Sequence, residues 1–207
     1  VRSLAGTMAW VTCPFVLQRF RRDCIHLGLT PPQATFAFHD GTAGKKTAHV
    51  AGGSALIIHQ GNSFTVALED LDLTAQRHND GTGAAAWAAW LGQRIFAGDE
   101  VWQASLKNRF CVVHDDVFSF LLETATEVIA RNVLNEDKKT AKNLWYEEAL
   151  PAETVLAGLV FGQQVSSNGL TPARVLEEVR KLVGQGPAQL GGHATVGRGL
   201  CRVVMEG

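Results

Sequence analysis

The sequence lacks a charge excess of either sign: 19 lysines and arginines stand against 20 aspartates and glutamates, for a formal net charge of -1 and a pI of about 6.7. Without a chain-wide basic field to attract phosphate, a free-standing DNA-binding module is excluded, and any nucleic-acid surface must be a local patch. Long hydrophobic runs are missing too. None reaches the roughly 20 residues that cross a bilayer, and nothing resembles a signal peptide, so no membrane partner is expected. Cysteine is sparse: Cys13, Cys24, Cys111 and Cys201 stand far apart without any C-x-x-C spacing. That supports neither zinc nor a disulfide framework and fits buried thiols in a reducing cytoplasm. What is present is core material. The 207 residues are 46% hydrophobic, enough for one large or two small domains. The chain opens at Val1, directly in an alternating strand over residues 1–12, which reads as a start inside a domain.

The stretch 126–163 organises the rest. Two extended runs, 127–134 and 143–150, flank a polar tip at 135–142 that has no glycine or proline and carries Lys138, Lys139 and Lys142. Hairpins usually turn in two to five residues, and a longer tip more often binds something than merely reverses the chain. Glu136 and Asp137 oppose phosphate there. Residues 154–161 are apolar on both alternating faces, the pattern of a strand buried in mid-sheet.

Around this stretch the pattern is α+β. Pro14 fits a first helical turn, and Arg19, Arg21 and Arg22 near that helix's end are either ordinary dipole-stabilised cations or phosphate contacts. Short runs at 34–38, 45–50, 54–59 and 63–73, separated by glycine turns, read as an antiparallel meander, with Lys45 and Lys46 solvated in a turn. From residue 84, Trp87, Trp90, Leu91 and Ile95 recur at helical spacing as a core stripe. Residues 108–113 read as a strand, and Asp115 or Asp116 can cap the helix after it. The dipeptides His39-Asp40 and His114-Asp115 could serve a metal phosphohydrolase, but no further ligand stands at the right spacing and capping accounts for the aspartates, so no metal is assigned. The clearest helix opens with Thr171 as N-cap and Pro172 in its first turn, and aligns Val175, Leu176, Val179, Leu182 and Val183. Glycine turns and a final strand from Leu200 to Met205 close the chain.

The last turn is GGHATVGRG. Gly191, Gly192, Gly197 and Gly199 free the backbone for positive φ and close ligand approach, with Thr195 and Arg198 as hydroxyl donor and cation. It precedes a strand rather than opening a helix after one, so it is neither a Walker loop nor a dinucleotide fingerprint.

Position and context carry a resemblance. GGHATVGRG near the C-terminus resembles the signature loop of the RAMP superfamily of CRISPR-associated proteins. Together with VRSLAGTMAWVTCPFVLQRFRRD, VALEDLDL, ARN and LWYEEALPAETVLAGLVFG, in this order from one end of the chain to the other, it is similar to the backbone subunit of the type III-B (Cmr) effector. The resemblance implies a single RAMP-type domain over 1–207: a ferredoxin-like (RRM-like) antiparallel sheet, helices on one face, and an inserted thumb β-hairpin whose basic tip is 131–142. It implies binding of CRISPR RNA and target RNA, other Cmr subunits, and copies of the same subunit along the guide. Arg131, Lys138, Lys139 and Lys142 would meet phosphate, with Val133 or Leu134 wedging between bases. Gly191, Gly192, His193, Thr195, Gly197, Arg198 and Gly199 would follow the guide backbone.

Full-length members of that family begin with further sequence that holds a basic helix and an acidic loop credited with metal-dependent cleavage of target RNA. Neither is in this chain, so no catalytic residue is assigned, no cofactor is expected within it, and a bare sheet edge or a covering partner is expected instead. Glu147, Glu148 and Asp70 are not promoted to the role. Two competing readings use the same residues otherwise: a stand-alone metal-dependent ribonuclease built on His39, Asp40, His114 and Asp115, and a protein-only adaptor whose finger docks another subunit.

Overall fold

A computed structural model describes residues 1–38, 41–134, 141–164 and 169–206. They form two compact units, Val1–Leu156 and Ala157–Gly207. Six α-helices and twelve strands are found among the described residues.

The first unit is built on an eight-stranded sheet. Its strands are β1 (Arg2–Ser3), β2 (Thr7–Met8), β3 (Trp10–Thr12), β4 (Thr47–Ala51), β5 (Ile57–Gln60), β6 (Ser63–Leu68), β7 (Leu71–His78) and β8 (Phe110–Val113). They run in the order β2-β1-β6-β7-β4-β8-β3, with β5 on β6. Two pairings are parallel, β3 with β8 (Trp10 opposite Phe110) and β4 with β7 (Thr47 opposite Thr74). The sheet is therefore mixed, which corrects the expected all-antiparallel meander: the β5–β6 hairpin is itself the crossover that returns the chain parallel to β4, and short strands separated by glycine turns do not reveal such a crossover.

Helices pack on both faces, a second correction. Along β8, Cys111 and Val113 join Val50, Leu56, Val66, Leu68 and Leu121 in one core, while Phe110 and Val112 join Trp10, Leu17, Trp87 and Leu106 in another. Alternation along a strand puts these clusters on opposite sides of the sheet. α1 (Pro14–His26), α3 (Gly83–Ile95) and α4 (Glu100–Arg109) cover one side, and α5 (Asp115–Thr124) the other. A short α2 (Thr42–Lys45) precedes β4.

Several local expectations change. Residues 1–12 form three short strands, because Gly6 (φ +74) and Thr7 (φ +71) turn the chain sharply. Residues 34–38 alternate inward and outward, yet form no ladder. Helix α4 escaped sequence reading because it buries only Leu106 fully. Residues 154–161 belong to no strand, and Leu156, Val160 and Phe161 are well exposed; apolarity on both faces cannot make a central strand where no neighbour offers a free ladder. The final strand shrinks to β12 (Leu200–Cys201).

The capping assignment also shifts. His114 caps α5, its Nδ1 accepting the Asp116 amide at 3.1 Å. Asp115 Oδ1 instead accepts the Phe15 amide at the start of α1, 3.0 Å away, and Asp116 pairs with Lys45, which is thus not simply solvated. Cys13, Cys24 and Cys111 are buried thiols in no disulfide, and burial pushes Cys111 up to about 12, too high for an attacking thiolate. Among the described residues no helix is long and apolar enough to cross a membrane.

The second unit holds α6 (Pro172–Val183), β11 (Ala188–Gln189), a 3-10 turn (Ala194–Val196) and β12. Thr171 Oγ1 caps α6 by accepting the Arg174 amide at 3.4 Å. Its apolar stripe is only half covered, with Leu182 68% exposed.

Candidate nucleic-acid interface

Strands β9 (Glu127–Leu134) and β10 (Ala141–Ala149) pair antiparallel with each other and with no further strand among the described residues. β10 starts two residues before the expected run. Extended residues on both sides, with no breaker between, let the ladder continue to Ala141 opposite Leu134, and the register slips between Ala141 and Asn143. The result is a ribbon rooted after α5, with solvent on both faces.

Pairing fixes what each face presents. Arg131 lies opposite Trp145, and Glu147 opposite Ile129, so these four share one side. Arg131 Nε donates to Glu147 Oε2 at 3.1 Å, and Trp145 Nε1 donates to Glu147 Oε1 at 3.1 Å. Arg131 is thus partly spent on a carboxylate. The other side carries Val128, Leu144 and Tyr146, which are 60%, 58% and 70% exposed. Lys138 and Lys139 lie outside the described residues, and Lys142 is placed by its backbone in β10 only. Val133 is 47% exposed, as a wedge between bases would have to be. Trp145 and Tyr146 were not singled out from the sequence as contacts. The signal was available: an LWY run facing solvent beside a lysine-rich tip offers π-faces on which unpaired bases stack.

The glycine loop is closed at its base by a β11–β12 ladder, Gln189 opposite Leu200 and Ala188 opposite Cys201. Leu190 N donates to Gly199 O at 2.8 Å, and Arg198 N and Val196 N both donate to His193 O, at 3.2 and 3.1 Å. Gln189 Nε2 adds a bond to Arg198 O at 2.8 Å. His193 (φ +64), Gly197 (φ +78) and Gly199 (φ +73) are left-handed. His193 and Thr195 are exposed and Arg198 half-buried, so Gly191, Gly192, His193, Thr195, Gly197, Arg198 and Gly199 form one continuous tight loop.

Gly199 is the position this loop cannot exchange. A Cβ there would stand 2.0 Å from Leu190 O and 2.6 Å from Gln189 Nε2. Gly199→Ala is therefore expected to open the base of the loop at a cost of about 1–3 kcal/mol of local strain. Lost protection of the Leu190 amide in hydrogen exchange would register it, and unchanged protection would refute it.

A divalent metal fits poorly. The Asp115 and Asp116 side chains are taken up by Phe15 and Lys45, His39 and Asp40 lie outside the described residues, and no group of three His, Cys, Asp or Glu side chains gathers among the described ones.

No protein-family model matches the chain, but individual relatives do. Along its whole length the chain is similar to the CRISPR system Cmr endoribonuclease Cmr4 of Pyrococcus furiosus: the two are 31% identical over 209 aligned residues, covering 100% of this chain and 65% of that protein. The crystal structure of oligomeric Cmr4 from Pyrococcus furiosus matches with a TM-score of 0.56 at 26% identity, over 96% of this chain and 65% of that one. The cryo-EM structure of the Type III-B Cmr-beta bound to cognate target RNA matches in fold, with a TM-score of 0.53 at 16% identity over 93% and 59% of the two chains. The chain thus spans just under two thirds of the curated relative's length.

Proposed function

We propose that this chain is the RNA-binding backbone component of a type III-B Cmr effector, positioning CRISPR RNA and target RNA for antiviral defence beside other Cmr subunits and further copies of itself. The β9–β10 ribbon is its thumb, and the mixed sheet an elaborated relative of the ferredoxin-like (RRM-like) sheet within one RAMP-type domain over 1–207. The observation that carries this reading is a ribbon that, among the described residues, pairs with no other strand, in a chain 31% identical to a Cmr4 along its whole length. A ladder committed to the central sheet would have no reason to leave Trp145, Tyr146 and Val133 to solvent.

The ribbon's chemistry divides by position. Cations at 138, 139 and 142 approach phosphates, while Trp145, Tyr146 and Val133 offer stacking or wedging surface to bases. The glycine loop supplies backbone amides and the Arg198 cation to the guide. Metal-dependent cleavage of target RNA is an activity of the intact family, and no residue of this chain is assigned to it.

The test is affinity for single-stranded RNA across a salt series. The parent chain is expected to bind with a negative slope of log affinity against log salt. Replacing Lys138, Lys139 and Lys142 together with Ala should flatten that slope by about 0.7 per lost phosphate contact. A protein-only adaptor would retain partner binding at high salt and show no RNA affinity. An unchanged slope in the triple variant removes the thumb from RNA contact.

A further inference from the structure

A second cationic surface shares no residue with the ribbon or the glycine loop. Gln18, Arg21, Arg22, Ile25 and His26 line a cavity of about 420 Å³ between α1 and the segment 33–35. Their spacing is i, i+3, i+4, i+7 and i+8, so one face of α1 forms one continuous wall. The volume falls within the roughly 300–1,000 Å³ of small-ligand sites.

The facing wall is held in place from within. Trp87 Nε1, deep in the core, donates to Gln33 O at 2.8 Å, and Arg21 Nε donates to Pro32 O at 3.2 Å. Ala34, which follows these two anchored residues, is 4% exposed. Segment 33–35 is thus pinned from two sides, which keeps the groove from collapsing onto the helix.

The groove's chemistry favours an anion. Arg21, Arg22 and His26 line it together with Gln18, Gln33 and Thr35. The nearby acid is Asp23, whose Oδ1 accepts from Arg22 Nε and Nη2 at 3.2 Å each. That ion pair is exposed, with the Arg22 side chain 65% accessible, so a phosphate can compete for the guanidinium, and Arg21 makes no ion pair among the described residues. Ile25 supplies an apolar floor against which a base or ribose can lie, so a strand with alternating charge and apolar surface suits the groove better than a bare ion.

We propose that this α1 groove is a second phosphodiester-binding site, which holds the sugar-phosphate backbone of single-stranded RNA through Arg21 and Arg22. It rests on the RNA-binding reading above and extends the contact surface beyond the thumb. Arg21 also braces the fold through Pro32, so the informative variants are Arg22→Gln and Gln18→Glu, at exposed positions on the helix.

The experiment measures binding of the full chain to a labelled single-stranded RNA oligonucleotide over a salt series, with thermal melts of each variant. In parallel, phenylglyoxal modification of arginines is read by mass spectrometry with and without that RNA. Arg22→Gln should reduce the salt slope by about 0.7, Gln18→Glu should weaken binding several-fold, and RNA should protect Arg22 from modification. If both variants bind like the parent and Arg22 reacts equally with and without RNA, while the triple lysine variant loses affinity, the groove is overturned and the thumb reading stands. A parent chain that binds no RNA overturns both.

Discussion

Replacing Trp87 with alanine is expected to destabilise the chain by about 3–5 kcal/mol, against a total of about 5–15 kcal/mol for an ordinary domain. Trp87 is fully buried in the core under α3, its ring centre 5.9 Å from that of Trp90 and 6.4 Å from that of Phe20. Alanine would leave a cavity among side chains already fixed by Leu17, Leu106 and Val112. It would also strand the Gln33 carbonyl, which accepts from Trp87 Nε1. Trp87→Phe separates the two effects: most of the ring volume survives while the carbonyl loses its donor, for about 1–3 kcal/mol. Urea unfolding of both variants ranks them. A loss under about 1 kcal/mol for Trp87→Ala would show that this side of the sheet is not held by α3.

The second large effect is acid sensitivity centred on two histidines. His49 on β4 is 2% exposed, and its Nδ1 lies 2.8 Å from His78 Nε2 on β7. Phe36 and Phe38 close over it with ring centres 5.3 and 4.7 Å away. Burial, reinforced by His78, lowers the His49 pKa to about 4, and burial lowers that of His78 as well. The pair shares one hydrogen bond with both rings neutral.

In the unfolded chain a histidine titrates near 6.5, so from about pH 6.5 down to 4 the unfolded state takes up a proton that the folded state refuses. Stability contributed by the neutral pair is full above that window and is lost as the pH falls through it. The loss from His49 alone is on the order of 3 kcal/mol. Urea midpoints taken from about pH 7 down to pH 4 should fall steeply, and more steeply than those of His49→Gln, which cannot titrate there. Parallel curves for the two proteins would show that acid acts elsewhere.

Much of this was legible before any coordinates. Trp87, Trp90, Leu91 and Ile95 specified a helix because a four-residue rhythm of large apolar groups has no other simple use. Thr171-Pro172 marked α6 because cap and φ preference agree. The extended runs on either side of the lysine tip declared the ribbon, and the glycines at 197 and 199 the left-handed loop. The failures have physical reasons. Residues 34–38 alternate inward and outward just as a strand would, because Ala34, Phe36 and Phe38 all turn to the core, and alternation records burial rather than hydrogen bonding. Residues 154–161 carry the composition of a central strand, but a strand also needs a neighbour with unpaired amides, which no local pattern reports. Asp115 looked like a cap for its own helix and caps α1 instead, a contact across a hundred positions of sequence. The His49–His78 pair was invisible for the same reason, since only the parallel β4–β7 register brings the two rings together.

That register, with its counterpart between β3 and β8, also sets how the molecule must come into being. Trp10 finds its ladder partner only at Phe110, after every intervening helix of the first unit has been synthesised. Until β8 leaves the ribosome, the ladder that joins Trp10 to Phe110 cannot close. Pairings so distant in sequence form slowly, because a long loop must be closed before the contact is made. The side of the sheet that carries Trp10 and Phe110 is therefore expected to consolidate last in refolding, well after the β6–β7 hairpin has formed.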